Sequence, residues 1–202
     1  MNETIETIRR RRSVRSFTDA PVAEELLDAV LDAANRAPSA HNRQSWRFFV
    51  LRGERREALA QLVHDEAARF PRPSAVLLRM ASRTIRSAPV VVAVGNTGDL
   101  IAHGTELFRI DSDDARDFFR TMEIQSSAAA VENLLLAATS LGLGSVWLGI
   151  LFLIKDEVRS FLGEPRGEFM AVVPLGYSDR RHQGPRKRSM ADLVTRFDDD
   201  GA

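Results

Sequence analysis

Apolar residues recur along this chain at spacings of about 3.6 and about 2, and the alternation between the two lays out its elements. Leu26, Leu27, Val30, Leu31 and Ala34 form one stripe with Asp28, Asp32 and Arg36 outside it, which predicts an amphipathic helix over residues 22–36. Ile5 and Ile8 predict a shorter helix that stops near Ser13, followed by an extended or turn segment to Pro21. Residues 47–51 are rich in β formers and closed by Gly53, so a strand is expected there and a helix over 54–67 after it. Residues 70–73 break that helix, and a further one over 76–87 leads into Pro89. The run Val90-Val91-Val92-Ala93-Val94 reads as a fully buried strand at the centre of a sheet.

Residues 99–117 are polar and weakly patterned, with Asp111, Asp113 and Asp114 clustered, and they predict a mobile connection or lid. A long helix is expected over 118–141. Its part from 128 to 138 is apolar nearly all round, interrupted mainly by Glu132 and Asn133, and must be covered on most sides. That argues for a partner chain packed on it, with a helix wrapped by its own domain as the alternative. Gly142 and Gly144 end this helix, and a strand over 145–148, a helix over 155–162 stopping at Gly163, and a strand over 171–175 ended by Gly176 follow. The tail beyond Gln183 is basic, then apolar, then acidic and frayed. Strands and helices interleave as a single α+β domain over residues 1–202.

Composition narrows the chemistry by exclusion. Lys and Arg total 28 and so do Asp and Glu, so no overall charge draws the chain to nucleic acid or an acidic membrane. There is no cysteine, which removes disulfides, thiolate nucleophiles and thiolate-held metals. The N-terminal acids and the lack of a long apolar run predict a soluble, cytoplasmic protein. His41, His64, His103 and His182 are widely separated, and the aspartate cluster lacks the glycine and closing glutamate of a calcium loop, so no metal is expected. Gly142 and Gly144 follow a helix and precede a strand, the reverse of a dinucleotide fingerprint, and Gly149 is wrongly spaced for its third glycine.

Four stretches carry groups that could hold a ligand. Arg11, Arg12, Ser13 and Arg15 offer guanidinium forks and a hydroxyl where a helix gives way to extended chain, and they suit a phosphate or an anionic ring. Residues 37–46 form a small polar turn in which backbone can approach a ligand and Asn42 and Gln44 can donate and accept in one plane; Trp46 reads as a core anchor. Residues 142–149 permit close approach of a flat molecule. Arg186 and Arg188 offer a second phosphate clamp.

In this order the stretches resemble the nitroreductase family of flavoproteins over nearly the whole chain. The family pattern R-[RH]-S-x-[RK]-x-F looks like residues 11–17, A-P-S-x-x-N-x-Q-x-W like 37–46, G-L-G-S-x-W-x-G like 142–149, and P-x-G-Y like 174–177, with the basic tail at 186–188. The resemblance implies a nitroreductase-like α+β fold, a central and mostly antiparallel sheet surrounded by helices, in an intertwined homodimer with FMN at the subunit interface. Arg11 and Ser13 would hold the FMN phosphate with Arg186 and Arg188, Arg12 would line the ribityl chain, and Arg15 would face the N1/O2 edge of the ring as the catalytic group. From the other subunit, Pro38, Ser39 and Ala40 would touch the flavin through backbone and Asn42 through its side chain. Leu148 and Gly149 would lie near N5 and O4. The implied activity is hydride transfer from NAD(P)H by a ping-pong mechanism to small electron-poor acceptors such as nitroaromatics or quinones. Two alternatives share the scaffold or the cofactor: a specialised FMN reductase or oxidase acting on deazaflavin precursors, halogenated tyrosines or peptide heterocycles, and a non-catalytic flavin carrier or sensor. Ala40 stands where the family often has serine, Ser45 where it often has proline, and no acidic residue follows Leu148, departures that bear on the substrate.

Overall fold

The strand β2 (Val90–Asn96) is buried along its whole length, and the other elements are arranged around it. The computed structural model describes residues 2–109, 113–164, 167–180 and 183–197. β1 (Trp46–Leu51), β2, β4 (Phe169–Gly176) and β3 (Gly144–Ser145) form one antiparallel sheet in the order β1-β2-β4-β3. Side chains of a strand alternate between faces, so β2 divides its apolar run between two cores. Val91 and Ala93 join the core built by α3 (Gly53–Glu66), α4 (Arg72–Ser87) and α7 (Lys155–Leu162). Val90, Val92 and Val94 join the core built by α2 (Glu24–Asn35) and α6 (Asp113–Ser140) on the other face. The central position expected of the Val-rich run is therefore observed. Trp46 is buried as an anchor, its indole donating to Asn35 Oδ1 at 2.9 Å.

Three expectations are corrected. Residues 99–117 are not an irregular lid: α5 (Asp99–Phe108) is a helix, and α6 already begins at Asp113, while Asp111 lies outside the described residues. α4 starts at Arg72 and not at 76, with Pro71 as its N-cap and Pro73 in its first turn, so the prolines that separate it from the preceding helix also open it. The strand over 145–148 is only the pair Gly144–Ser145, and an unforeseen 3₁₀ segment, Gly149–Ile154, follows.

The apolar helix α6 is covered on its inner side by its own chain. Ala130, Val131, Leu134, Leu135 and Ala138 are buried in the core shared with α2 and the sheet, and Asn133 Nδ2 donates to the Ala33 carbonyl of α2 at 3.1 Å. The self-wrapped alternative thus accounts for this face. Leu136 and Ala137 stay half-buried in a groove bordered by α1 (Glu3–Arg10) and α2.

A second face of α6 grips the neighbouring loops. Glu123, Ser126 and Ser127 are spaced to lie together on the helix. Glu123 accepts the Leu100 amide at the start of α5 at 3.2 Å, Ser126 Oγ accepts the Ala40 amide at 3.1 Å, and Ser127 Oγ bonds Asn96 Oδ1 at the end of β2. Burial pushes the Glu123 carboxyl above its ordinary range, partly opposed by the Leu100 amide. A carboxyl with a raised folded pKa favours the fold when protonated; its contribution is complete below the unfolded pKa and is lost as pH rises through the folded one. Glu123→Gln keeps an acceptor for Leu100 and carries no charge to desolvate. It should therefore melt higher than wild type at about pH 8, by about 1 kcal/mol, with the gap closing toward about pH 4. Thermal melts at the two pH values check this, and a gap that widens on acidification would contradict it.

Candidate functional site

The arginine segment after α1 is tied to the sheet by backbone. Val14 N donates to Ser145 O at 2.9 Å, extending the sheet by one parallel bridge between Ser13 and Ser145. Val14 is buried against Gly144, where an added Cβ would lie 2.9 Å from the valine. This close approach requires glycine, and it brings Arg15 beside the turn that follows β3. Arg15, Trp147, Leu148 and Gly149 consequently line one cleft of about 190 Å³.

The far wall of that cleft comes from Leu77, Met80, Ala81 and Thr84 of α4, which the sequence reading did not single out. These positions recur at the spacing of any amphipathic helix, so nothing in their pattern separates a cleft wall from a core face. Leu77 is 50% and Met80 42% exposed. Arg15 is exposed and its one hydrogen bond among the described residues, to the Ser13 carbonyl, is long at 3.4 Å. Leu148 N is committed to Val172 O at 2.9 Å. Gly149 opens the 3₁₀ segment, where an amide has no intrahelical acceptor, and a Cβ there would meet nothing within 4 Å.

Arg11 and Arg12 follow α1 directly. Arg11 Nε stands 3.9 Å from Glu132 Oε1, a loose pair, and Arg12 donates to the Arg9 and Arg11 carbonyls at 2.6 and 2.7 Å while its Nε is buried with no partner. The tail crosses here: a Cβ on Gly184 would lie 2.8 Å from Arg12 Nε. Arg186 and Arg188 are exposed, with Arg188 bonded to the Asp192 carbonyl at 3.2 Å, and no hydrogen bond or ion pair among the described residues joins either to Arg11 or Ser13. His182 lies outside the described residues.

The turn at 38–44 sits elsewhere. His41, Asn42 and Gln44 have φ of 51°, 51° and 50°, a left-handed conformation that is costly for non-glycine residues. The strain is held by the Gln44 amide on Ser39 Oγ at 3.0 Å, by Gln44 Nε2 on Asn42 Oδ1 at 3.0 Å, and by the Ala40–Ser126 bond from α6. Pro38 and Asn42 are exposed, Ser39 and Ala40 half-buried. Ala40 and His41 line a separate, mostly apolar cavity of about 450 Å³ with Phe108, Phe118, Phe119 and Met122. Within one chain, then, the expected site residues fall into two groups: Arg15, Leu148 and Gly149 share one cleft, and Ala40 lies in another.

The family model described as the nitroreductase family matches residues 8–177. An NADH dehydrogenase of Thermus thermophilus is 30% identical over 186 residues, covering 83% of this chain and 83% of its own. An NADPH-flavin oxidoreductase of Vibrio harveyi is 31% identical over 182 residues, covering 89% of this chain and 68% of its own. Among solved structures, a nitroreductase candidate from Desulfovibrio desulfuricans in complex with FMN is 27% identical with a TM-score of 0.70, over 97% of each chain. A BluB-like flavoprotein from Clostridium difficile is 27% identical with a TM-score of 0.77, over 98% of this chain and 100% of its own.

Proposed function

Because the chain belongs to the nitroreductase family, we propose that it is an NAD(P)H-dependent oxidoreductase that carries FMN between two copies of itself and reduces small, flat, electron-poor acceptors. The observation that carries this reading is the division of the expected contacts between two cavities. A second copy is needed to set Ala40 and its neighbours opposite Arg15, Leu148 and Gly149.

The residues present fit a flavin mononucleotide. Gly149 leaves open space where a side chain would otherwise stand. Arg12 carries a buried guanidinium nitrogen that has no hydrogen-bond partner among the described residues, and Arg11 and Arg15 are only loosely engaged. Guanidinium groups with spare donors suit a phosphate monoester at one end and an anionic ring edge at the other. When bound, FMN would supply two-electron hydride chemistry between NAD(P)H and an acceptor.

The protein's part is position and charge. Arg11, Arg12 and Ser13, with Arg186 and Arg188 of the tail, anchor the phosphate and ribityl end. Arg15 holds its positive charge at the pyrimidine edge, where negative charge gathers on reduction. The Gly149 amide is free to donate toward the reacting edge, and Leu148 excludes water beside it. The strained turn from the second copy offers the Ser39 and Ala40 backbone, with Asn42 adding a polar contact. No helix among the described residues is long and apolar enough to cross a membrane.

The test is the absorbance spectrum of the purified protein followed by anaerobic NADH and then NADPH. Flavin bands that bleach support the reading and show the donor; bound flavin that neither donor bleaches overturns the reductase activity, and a protein that holds no FMN overturns the assignment. Arg15→Ala should slow flavin reduction roughly tenfold or more in stopped flow while FMN retention changes much less. Unchanged reduction kinetics would remove Arg15 from this role.

A further inference from the structure

The helix α4 carries four arginines and no acid among its 16 residues. Arg86 is paired with Glu57 at 2.5 Å. Arg72, Arg79 and Arg83 are exposed, and their guanidinium groups make no hydrogen bond or ion pair among the described residues. In a chain of zero formal charge this is a local concentration of cations that asks for an anion from outside.

Helical spacing sorts the outer side of α4 into three neighbouring rows. Leu77, Ala81 and Thr84 form the row that lines the cleft of Arg15 and Gly149. Val76 and Met80 form the next, 43% and 42% exposed, and Met80 still borders the cleft. Arg72, Arg79 and Arg83 form the third, each within one turn of Val76 or Met80. Arg79 and Arg83 are themselves one turn apart, so both guanidinium groups can close on one anion. A ligand that leaves the cleft across α4 therefore meets an apolar shelf first and a pair of cations second. That order matches a nicotinamide dinucleotide phosphorylated on its adenosine. The nicotinamide is flat and belongs in the cleft, the adenine presents flat apolar faces, and the 2′-phosphate carries about two negative charges at neutral pH. NADH has a hydroxyl at the same carbon, which gives two arginines little to hold.

We propose that Arg79 and Arg83 bind the 2′-phosphate of NADPH, with Val76 and Met80 as the shelf for its adenine, and that this pair makes NADPH rather than NADH the preferred donor. The proposal rests on the reductase reading of the cleft. Arg15 cannot make the distinction, because it serves the ring end, where the two dinucleotides are identical. The arginine row is exposed, so its grip weakens with salt. It acts on KM rather than on kcat, since a phosphate remote from the reacting atoms is held equally before and during hydride transfer.

Steady-state kinetics of the flavin-loaded, full-length protein test it. At low salt kcat/KM should favour NADPH over NADH by about tenfold or more. Arg79→Gln with Arg83→Gln should raise KM for NADPH about tenfold and leave its kcat within about twofold, so that the preference disappears. Arg79→Lys with Arg83→Lys keeps both charges and should retain most of it. A wild-type protein that prefers NADH, or a preference for NADPH that survives the glutamine pair, overturns the assignment and leaves the reductase standing. A second readout needs no turnover. In calorimetry at low salt, adenosine 2′,5′-bisphosphate should bind about tenfold tighter than adenosine 5′-monophosphate, and the glutamine pair should abolish the difference. Equal binding of the two nucleotides by the wild type overturns the phosphate site. A protein that holds no FMN, or whose flavin neither donor reduces, overturns the reductase reading and the donor preference with it.

Discussion

Gly167→Ala should destabilise the protein by about 3–5 kcal/mol, more than removal of most single core side chains. Gly167 has φ of +72°, and a β carbon there would collide with the Asn96 carbonyl and crowd Thr97. The crowding atoms are backbone, so no rotamer change relieves them. They also belong to the join between β2 and β4: Asn96 N donates to Glu168 O at 2.7 Å and Glu168 N returns to Asn96 O at 3.2 Å, just past the register shift at Val94 and Gly95. Moving Asn96 disturbs Ser127 of α6, which bonds its side chain, and through α6 the anchors of α5 and of the strained turn. Gly142→Ala is the control, with φ of +77° but nothing within 4 Å of the added carbon, so only the conformational cost of about 1 kcal/mol applies. Denaturant melts of the two variants separate collision from conformation. Equal losses would mean that Gly167 matters only for its backbone angle.

How much of this was legible beforehand depends on whether an element packs through side chains. β2 was plain because a strand buried on both faces reads as a continuous apolar run, and Val90 to Val94 supply one, mostly of β-branched residues, ahead of Gly95 and Asn96. α2 was plain because Leu27, Val30 and Ala34 mark its buried stripe. α5 was not, because it meets α6 through a glycine: a Cβ on Gly104 would strike the ring of Phe119. Close backbone packing leaves Leu100 as the one buried apolar side chain beside that glycine, too little to mark a stripe. α4 was shortened for a different reason, since Pro71 and Pro73 can end a helix or begin one and the choice is made by what lies downstream.

The candidate site divides along the same line. Its motif residues were found in the sequence because arginines at a helix end and glycines at a turn are unusual enough to be noticed. The cleft wall of Leu77, Met80 and Thr84 was missed because it looks like an ordinary amphipathic helix, and it becomes visible only when α4 is seen facing the turn after β3. The left-handed backbone at His41, Asn42 and Gln44 had no signal at all, because none is a glycine and the strain is imposed by Ser39 and by Ser126, the latter 86 residues beyond Ala40.

Gly149→Ala should lower FMN affinity about a hundredfold, or about 2.7 kcal/mol, while apo-protein stability stays within about 0.5 kcal/mol. The two halves of this expectation come from different facts. Gly149 does not adopt a left-handed φ, and the space around a Cβ there is empty to 4 Å, so the fold has no use for glycine at this position. Gly144, five residues earlier, shows what a structural requirement looks like, with Val14 at 2.9 Å from the missing carbon. A glycine with neither need sits at the mouth of the cleft lined by Arg15 and Leu148, where its bare amide would face a flat ring. A methyl group there would hold that ring off by roughly its own radius and lengthen the amide's hydrogen bond beyond useful range. Titrating the apo-protein with FMN by fluorescence, beside thermal melts of the same apo samples, measures both halves. Lost affinity with an intact fold would make Gly149 a ligand-facing residue. Unchanged affinity would move the flavin away from this glycine, and lost stability would mean that the open space is needed by the chain itself.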